Sequence, residues 1–224
     1  MKTELIEYLK GFISEARWSR INEVLDKRTQ HITVVLEDIY QPHNASAVLR
    51  SCDGFGIQDV HIIENKNEFD ASSQITIGAD QWLSLHRYNK ENDDNVSECF
   101  QNLHSQGFQI VATTPHENDH NLNQLDISKP TALVFGTELE GVTDQVMQQA
   151  DAFVKIPMSG FSESFNISVS AAICLYDTST RLRQSDIGWG LKSETREELL
   201  LEWVKKSIKA GDKLAEKWIS EYTS

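Results

Sequence analysis

The stretch AFVKIPMSGFSESFNISVSAAICLYD, residues 152–177, joins two apolar segments through a polar one. Its beginning, AFVKIPM at 152–158, has the apolar composition of a buried β-strand, and a pattern of small and apolar residues that predicts a helix begins at Asn166. Between them lies SGFSESF, which is polar and contains a glycine. A plain connection between a strand and a helix needs only a few residues. The composition of this loop therefore predicts a functional role for it.

The same alternation of strand and helix runs through the middle of the chain. Strand-like runs lie at 31–39, 60–64, 108–114, 131–136 and 152–158. Helical segments are predicted near 44–54, 95–106, 143–150 and 166–184. Short apolar strands separated by helices are typical of a mostly parallel sheet with helices on its faces. The sequence therefore predicts an α/β fold of this kind.

Both ends of the chain are predicted to be helical extensions of this core. The N-terminal region is amphipathic, and the C-terminal region contains ETREELLLEWVKKSIKAG and DKLAEKWISEY, two polar amphipathic helices. We expect an N-terminal extension at 1–29, a central domain at 30–184 and a C-terminal extension at 185–224.

The composition excludes several classes of protein. The 224 residues include 34 acidic and 21 basic side chains, so the formal net charge is −13. This charge argues against indiscriminate binding to nucleic acid or acidic membranes, but it permits a local basic patch. No apolar run is long enough to cross a bilayer, and the amphipathic, acidic start of the chain is unlike a signal peptide. Three separated cysteines predict neither a disulfide framework nor a CxxC metal site, so we expect a reduced, cytoplasmic protein.

The motif HENDH at 116–120 matches the zinc-protease pattern H-E-x-x-H. That chemistry requires both histidines on one face of a helix, with the glutamate placed as the base. Here Pro115 precedes the motif, and Asn118 and Asp119 fill its middle. This composition favours a loop after the strand at 108–114, and we expect no metal site.

Two glycine motifs resemble nucleotide-binding loops without completing them. GTELEGVT at 136–143 has the spacing of a phosphate-binding loop but carries Val142 in place of the lysine, and its two glutamates would repel phosphate. GFG at 54–56 lacks the rest of a dinucleotide fingerprint. The second motif is better interpreted as a helix C-cap followed by a turn.

Three glycine-containing or polar loops follow strands at their carboxyl ends: ATTPH, FGTELEG and IPMSGFSESFN. In open α/β sheets, ligands bind in the crevice beyond those ends. Glycines permit a close approach of the backbone to a flat ligand, and acidic residues suit a cation. Any one loop could be a simple connection, but the three together predict a ligand site.

The segments LEDIYQPHNASAVLRSCDGFGI, LVFGTELEGV and IPMSGFSESFNISVSAAI resemble, in order and spacing, the three motifs of the SpoU-type RNA 2′-O-ribose methyltransferases of the SPOUT superfamily. The resemblance covers roughly residues 20–183. It implies a homodimer whose fold contains a deep C-terminal trefoil knot, an exception to the rule that chains avoid threading. It also implies S-adenosylmethionine as the cofactor.

The resemblance also implies which residues form the site. The loop IPMSGFSESFN would close on the cofactor, and the implied cofactor-binding residues are Thr113, Gly136, Ile156, Met158 and Phe165. Arg50 would be the catalytic residue and would serve the cofactor of the partner subunit. The residues implied around it are Asn44, Glu138, Ser164 and Asn166.

The chemistry can be argued from the residue types. A ribose 2′-hydroxyl is a poor nucleophile, so it must be oriented, lose its proton and have its developing charge stabilised. Asn44 is expected to cap the helix at 44–54, and Ser164 and Asn166 suit the start of the helix at 166–184. A guanidinium resists deprotonation, so we expect Arg50 to orient and stabilise charge rather than to act as the base.

Within the family, ARWSRINEVL and PHNASAVLRSCD resemble the enzymes that methylate guanosine 18 of tRNA. The alternatives are a ribosomal RNA substrate or an RNA-binding relative that has lost catalysis. Because the chain is acidic, phosphate contacts would depend on a few arginines. The expected RNA-binding residues are Arg17, Arg20, Arg181 and Arg183.

Overall fold

A computed structural model describes residues 1–69, 78–91, 93–115, 120–137 and 139–222. The described helices, in chain order, are α1 (Lys2–Lys10), α2 (Glu15–Leu25), α3 (Pro42–Phe55), α4 (Asn95–Ser105), α5 (Asp144–Gln149), α6 (Ile167–Gln184), α7 (Ser193–Lys206) and α8 (Gly211–Tyr222). The strands are β1 (Ile32–Glu37), β2 (Asp59–Ile63), β3 (Ser84–Tyr88), β4 (Gln109–Thr113), β5 (His120–Asn121), β6 (Thr131–Phe135) and β7 (Ala152–Lys155). The chain divides into a helical unit, residues 1–28 and 190–224, and an α/β unit, residues 29–189.

The α/β unit is built on one sheet with strand order β3-β2-β1-β6-β4-β7-β5. Every neighbouring pair is parallel, which confirms the predicted sheet. The strands β3 and β5 were not predicted from the sequence. β3 lies at the edge, where Leu85, His86 and Arg87 are exposed, so its sequence lacks the apolar run of a central parallel strand.

The central strand β1 is buried along its whole length because helices cover both faces of the sheet. Val34 and Leu36 belong to the core on the side of α3 and α6, whereas Val35 belongs to the core on the side of α4 and α5. This alternation follows from the two-residue period of a strand. Because all the strand pairs are parallel, the carboxyl ends of the strands lie together at one end of the sheet.

The ends of α3 test two expectations about capping. The expectation that Asn44 is the N-cap is wrong: the helix begins at Pro42, with Gln41 as the N-cap, and Asn44 is its third residue. Proline favours the first helical position, because its fixed φ suits a helix and its missing N–H has no partner there. At the other end, Gly56 forms the C-cap with φ 77°, which confirms the interpretation of GFG.

The helical unit has a core of its own. Leu9, Leu25, Trp203 and Val204 are buried in it, and the Arg28 guanidinium lies 5.1 Å from the centre of the Trp203 ring. Ser14 caps α2 by accepting a hydrogen bond from the Arg17 backbone N–H.

Among the described residues, no helix has the length and apolar character needed to cross a membrane.

His61 makes the stability of the α/β unit dependent on pH. Its ring is buried on β2, stacks on His86 with 4.7 Å between ring centres, and has Nδ1 3.0 Å from the Tyr88 hydroxyl. Burial, with a smaller contribution from His86, lowers the pKa of His61 to about 4. Since the unfolded pKa is about 6.5, the unfolded chain binds a proton more readily. Stability contributed by His61 is therefore complete above pH about 6.5 and is lost as the pH falls toward about 4.

We expect this loss to reach about 3 kcal/mol in the free energy of unfolding between those two pH values. Denaturant unfolding of the wild type and of His61→Gln across the same range measures it, because the variant lacks the titrating group. The wild type should lose more stability than the variant on acidification. Parallel stability curves for the two proteins would contradict this account.

Candidate functional site

A cavity of about 510 Å³ opens at the carboxyl ends of β4, β6 and β7. Its walls come from the loops that follow these three strands, together with the first residues of α6. The lining includes Thr113–Pro115, Phe135–Thr137, Leu139–Val142, Asp144, Ile156, Met158 and Glu163–Phe165. The structure thus brings together the three loops that the sequence singled out, at the edge of the sheet where ligands bind in α/β folds.

All five of the residues predicted to hold a cofactor lie on the wall of this cavity. They are Thr113, Gly136, Ile156, Met158 and Phe165. The Thr113 hydroxyl donates a 2.9 Å hydrogen bond to the Val134 carbonyl, so this side chain is fixed against β6. Phe165 is partly exposed at the wall. The cavity therefore offers apolar surface for a flat ring beside a Thr113 side chain that is held by a hydrogen bond.

In the loop between β6 and α5, the described residues 137 and 141 are paired across a tight turn. The backbones of Thr137 and Gly141 exchange two hydrogen bonds, of 2.9 and 3.0 Å. Gly141 has φ 71°, a conformation that favours glycine. A Cβ on Gly136 would lie 2.0 Å from the Gly141 carbonyl oxygen, so this position also requires glycine. Glu138, predicted to be catalytic, lies outside the described residues.

A buried carboxylate fixes the end of this loop. Glu37, the last residue of β1, accepts hydrogen bonds from the Thr143 backbone N–H at 2.9 Å and from the Thr143 hydroxyl at 2.6 Å. Burial raises the pKa of Glu37, and the bonds from Thr143 oppose this rise. Sequence reasoning overlooked Glu37, although an acidic residue that ends an otherwise apolar strand is a detectable signal.

Three carboxylates on the cavity wall give it an acidic character. They belong to Glu140, Asp144 and Glu163. Carboxylates attract a cation and repel phosphate, so this wall suits a positively charged ligand better than a nucleoside triphosphate. The described residues contain no cluster of side chains that could hold a metal ion. Residues 116–119 of the HENDH motif lie outside the described part, and His120 forms β5.

Two of the predicted catalytic residues meet where α6 begins. Asn166 caps α6: its Oδ1 accepts hydrogen bonds from the Ser168 N–H at 2.9 Å and the Ser168 hydroxyl at 2.6 Å. Its Nδ2 donates to Oδ1 of Asn44 at 3.1 Å, which links the first turns of α3 and α6. Ser164 lies two residues before Asn166, on the cavity wall. The pair of asparagines thus forms one polar cluster beside the cavity.

Arg50 lies apart from that cluster in the same chain. It belongs to the exposed stripe of α3 that also includes His43 and Gly54, whereas Asn44 is buried. Six residues of helix separate Asn44 and Arg50, which places them about 120° apart around the axis. Arg50 is absent from the cavity lining, and no described side chain forms an ion pair with it. Arg50 is therefore exposed and lies outside the cavity of its own chain.

The arginines predicted to bind RNA differ in their surroundings. Arg17 donates to the Ser207 hydroxyl at 3.1 Å, and Arg20 forms an exposed ion pair with Glu23. Such exposed interactions are weak and easily exchanged for a phosphate.

The two predicted RNA-binding arginines on α6 are engaged within the α/β unit. Arg181 pairs with Asp177 and donates to the carbonyls of Leu122 and Leu125. Arg183 donates to the Phe55 carbonyl at 2.6 Å and lies over the Trp189 ring. These contacts support the packing of α6, and a role in RNA binding for either residue stays a prediction.

Comparison with known proteins adds independent findings. The model of the SpoU rRNA Methylase family matches residues 31–176. A tRNA (guanosine(18)-2′-O)-methyltransferase of Borreliella burgdorferi is 40% identical over 204 residues, which cover 91% of each chain. The crystal structure of the A. aeolicus TrmH/SpoU tRNA modifying enzyme has a TM-score of 0.76 at 30% identity and covers 87% of this chain and 98% of that one. The SpoU methyltransferase AviRb from Streptomyces viridochromogenes, solved with the cofactor AdoMet, shares the fold, with a TM-score of 0.60 at 21% identity over 73% of this chain and 65% of its own.

Proposed function

Because the chain belongs to the SpoU rRNA Methylase family, we propose that it uses S-adenosylmethionine to methylate the ribose 2′-hydroxyl of guanosine 18 in tRNA. The observation that carries this proposal is the cavity at the ends of β4, β6 and β7, where all five residues implied in cofactor binding converge. S-adenosylmethionine supplies a methyl group on a positively charged sulfur.

The residues of the cavity fit this cofactor in shape and in charge. Ile156 and Phe165 offer apolar surface for an adenine ring, and the backbone at Gly136 permits a close approach. The carboxylates of Glu140, Asp144 and Glu163 suit the positive charge of a sulfonium. The cavity volume of about 510 Å³ lies in the range of small-molecule sites.

The reaction also requires groups that act on the ribose. A guanidinium is a cation with five N–H donors. The guanidinium of Arg50 would orient the 2′-hydroxyl and stabilise the negative charge that develops on its oxygen. Asn44 and Asn166 are joined by a 3.1 Å hydrogen bond. This pair would position the polar groups of the substrate that lie next to the 2′-hydroxyl.

We propose that the active protein is a homodimer in which Arg50 serves the cavity of the partner subunit. Arg50 is exposed and lies outside the cavity lining of its own chain. Large apolar side chains are exposed on the same unit: Tyr176 is 63% exposed and Val169 is 43% exposed, both on α6, which packs beside α3. Val169 and Tyr176 are seven positions apart, so they share one face of α6, and we take this face as the interaction surface. A second copy of the chain would cover them and bring its Arg50 to the reaction.

The distribution of charge supports RNA binding by the helical unit. Residues 1–28 and 190–224 contain 13 of the 21 basic side chains and 12 of the 34 acidic ones. The helical unit therefore has a formal net charge of +1, and the α/β unit, with 8 basic and 22 acidic side chains, has one of −14. Phosphate contacts would fall to the helical unit, where Arg17 and Arg20 are exposed. Folded RNA is recognised largely by shape and by phosphate and 2′-hydroxyl contacts.

All three cysteines are free and buried, as expected for the cytoplasm that we propose as the location of this protein.

We predict methylation of tRNA at guanosine 18 and none of ribosomal RNA. The measurement is mass mapping of nucleosides from unmodified tRNA and ribosomal RNA after incubation with the protein and labelled cofactor. RNA affinity should also fall as salt rises, with a slope set by the number of phosphate contacts. Label confined to ribosomal RNA would reject the tRNA substrate and retain the methyltransferase. Cofactor binding without methyl transfer to either RNA would identify an inactive relative.

A further inference from the structure

Two neighbouring carboxylates at the end of β1 are buried and are used differently. Glu37 is 1% exposed and Asp38 is 3% exposed. Glu37 binds Thr143, at the end of the cavity loop 136–143. Asp38 instead accepts hydrogen bonds through Oδ1 from the backbone N–H groups of residues 65–67, at 2.7, 2.8 and 3.3 Å. Only the first of these two loops lines the cavity; the second contacts it through an exposed ion pair between Lys66 and Glu140, and such exposed pairs contribute little.

Thr143 connects Glu37 to the cavity loop that precedes it and to helix α5 that follows it. Its hydroxyl donates to Glu37 at 2.6 Å and accepts from the Val146 N–H at 3.3 Å, which caps α5. The two residues before it, Gly141 and Val142, line the cavity, as does Asp144 after it. The position of Thr143 therefore determines where this wall stands relative to the sheet.

The neighbouring strands explain why Glu37 can reach this loop. β1 and β6 are adjacent and parallel, with Leu36 opposite Phe135. The chain leaves β6 at Gly136, turns back through the Thr137–Gly141 pair and arrives over the end of β1. The carboxylate of Glu37 at this position accepts hydrogen bonds from both Thr143 donors, the backbone N–H and the hydroxyl. A shorter or neutral side chain would accept only one of these two bonds.

We propose that Glu37 is a positioning residue for the cofactor: through its two hydrogen bonds to Thr143 it sets the part of the cavity wall formed by Gly141, Val142 and Asp144. This inference rests on the cofactor cavity of the proposed function. Glu37 itself is absent from the cavity lining, so it acts through Thr143 and touches no ligand. The buried state of Glu37 makes the pair costly to disturb, because a lost partner leaves a polar group unsatisfied.

The test measures the dissociation constant of S-adenosylhomocysteine by calorimetry, well below the unfolding temperature of each variant. Glu37→Gln places an NH₂ group against one of the two Thr143 donors, and Thr143→Val removes the hydroxyl. Each should raise the dissociation constant about tenfold. Thr143→Ser keeps both donors and should bind within about twofold of the wild type. The double variant Glu37→Gln with Thr143→Val should be no weaker than the weaker single variant, because both changes break one unit.

Asp38→Asn is the matched control, since it disturbs a carboxylate that is equally buried and adjacent but holds the other loop. We expect it to leave cofactor affinity within about twofold, and we expect tRNA affinity to be unchanged in all variants. The proposal is overturned if Asp38→Asn weakens binding as much as Glu37→Gln, or if the effects of the two single variants multiply. Should Glu37→Gln fail to fold, equal affinities for Thr143→Val and Thr143→Ser would overturn it. Binding by the wild type, measured in the same series, tests the proposed function separately.

Discussion

Replacing Arg50 with alanine is expected to lower the rate of methyl transfer by about 10²- to 10³-fold, the usual effect of removing one group that stabilises developing negative charge. The same change should leave the affinity for S-adenosylmethionine within about twofold, because Arg50 lies outside the three loops that form the cavity and is assigned to the ribose rather than to the cofactor. Single-turnover transfer to tRNA measures the first quantity, and calorimetry measures the second.

Lys129→Ala provides the control for this prediction. Lys129 is also an exposed cation of the α/β unit. It precedes β6, so it lies at the amino-terminal end of the strands, whereas the cavity lies at their carboxyl ends. Its removal should change neither quantity. A variant lacking Arg50 that turned over at the wild-type rate, or that lost affinity for the cofactor as strongly as it lost turnover, would contradict the assigned role.

Gly136→Ala is expected to weaken cofactor binding by at least about 100-fold. A Cβ at this position would lie 2.0 Å from the carbonyl oxygen of Gly141 and 2.4 Å from the backbone nitrogen of Val142. Both are backbone atoms, so the tight loop must open to relieve the overlap, and overpacking of this kind typically costs about 1–3 kcal/mol or more. The opened loop would displace the wall that faces the cofactor. Calorimetry with S-adenosylhomocysteine is the measurement.

Gly188→Ala is the matched substitution, because no atom lies within 4 Å of a Cβ built at that position. It should bind as the wild type does. The interpretation would be wrong if Gly136→Ala bound the cofactor normally, or if Gly188→Ala were equally impaired.

The sequence was sufficient for the main architecture because the central strands are buried on both faces. β1 and β6 are continuous apolar runs, which a parallel sheet between two helical layers requires. β3 was overlooked for the opposite reason, since an edge strand with exposed His86 and Arg87 carries no such pattern. The trefoil knot implied by the resemblance stays a prediction.

The cavity could be predicted more fully than the reaction centre. Thr113, Gly136 and Ile156, which line it, stand at or directly after strand ends, so local sequence places them at one end of a parallel sheet. The N-cap of α3 was misplaced because Pro42 moved the start of the helix two residues ahead of Asn44. The proposed relation of Arg50 to the cavity depends on the assembly of two chains, which spacing along one helix cannot reveal. The link from Glu37 to Thr143 joins residues far apart in sequence, and only the fold brings them together.

The most direct test of the central claim, a site completed by two chains, mixes two inactive variants. Arg50→Ala keeps an intact cavity, and Gly136→Ala keeps the arginine. If Arg50 serves the cavity of the partner, each mixed dimer contains one complete site, so random reassortment of equal amounts should restore methyl transfer to about one quarter of the wild-type rate. Mixed dimers that form, as native mass measurement would show, and yet transfer no methyl group would contradict the claim.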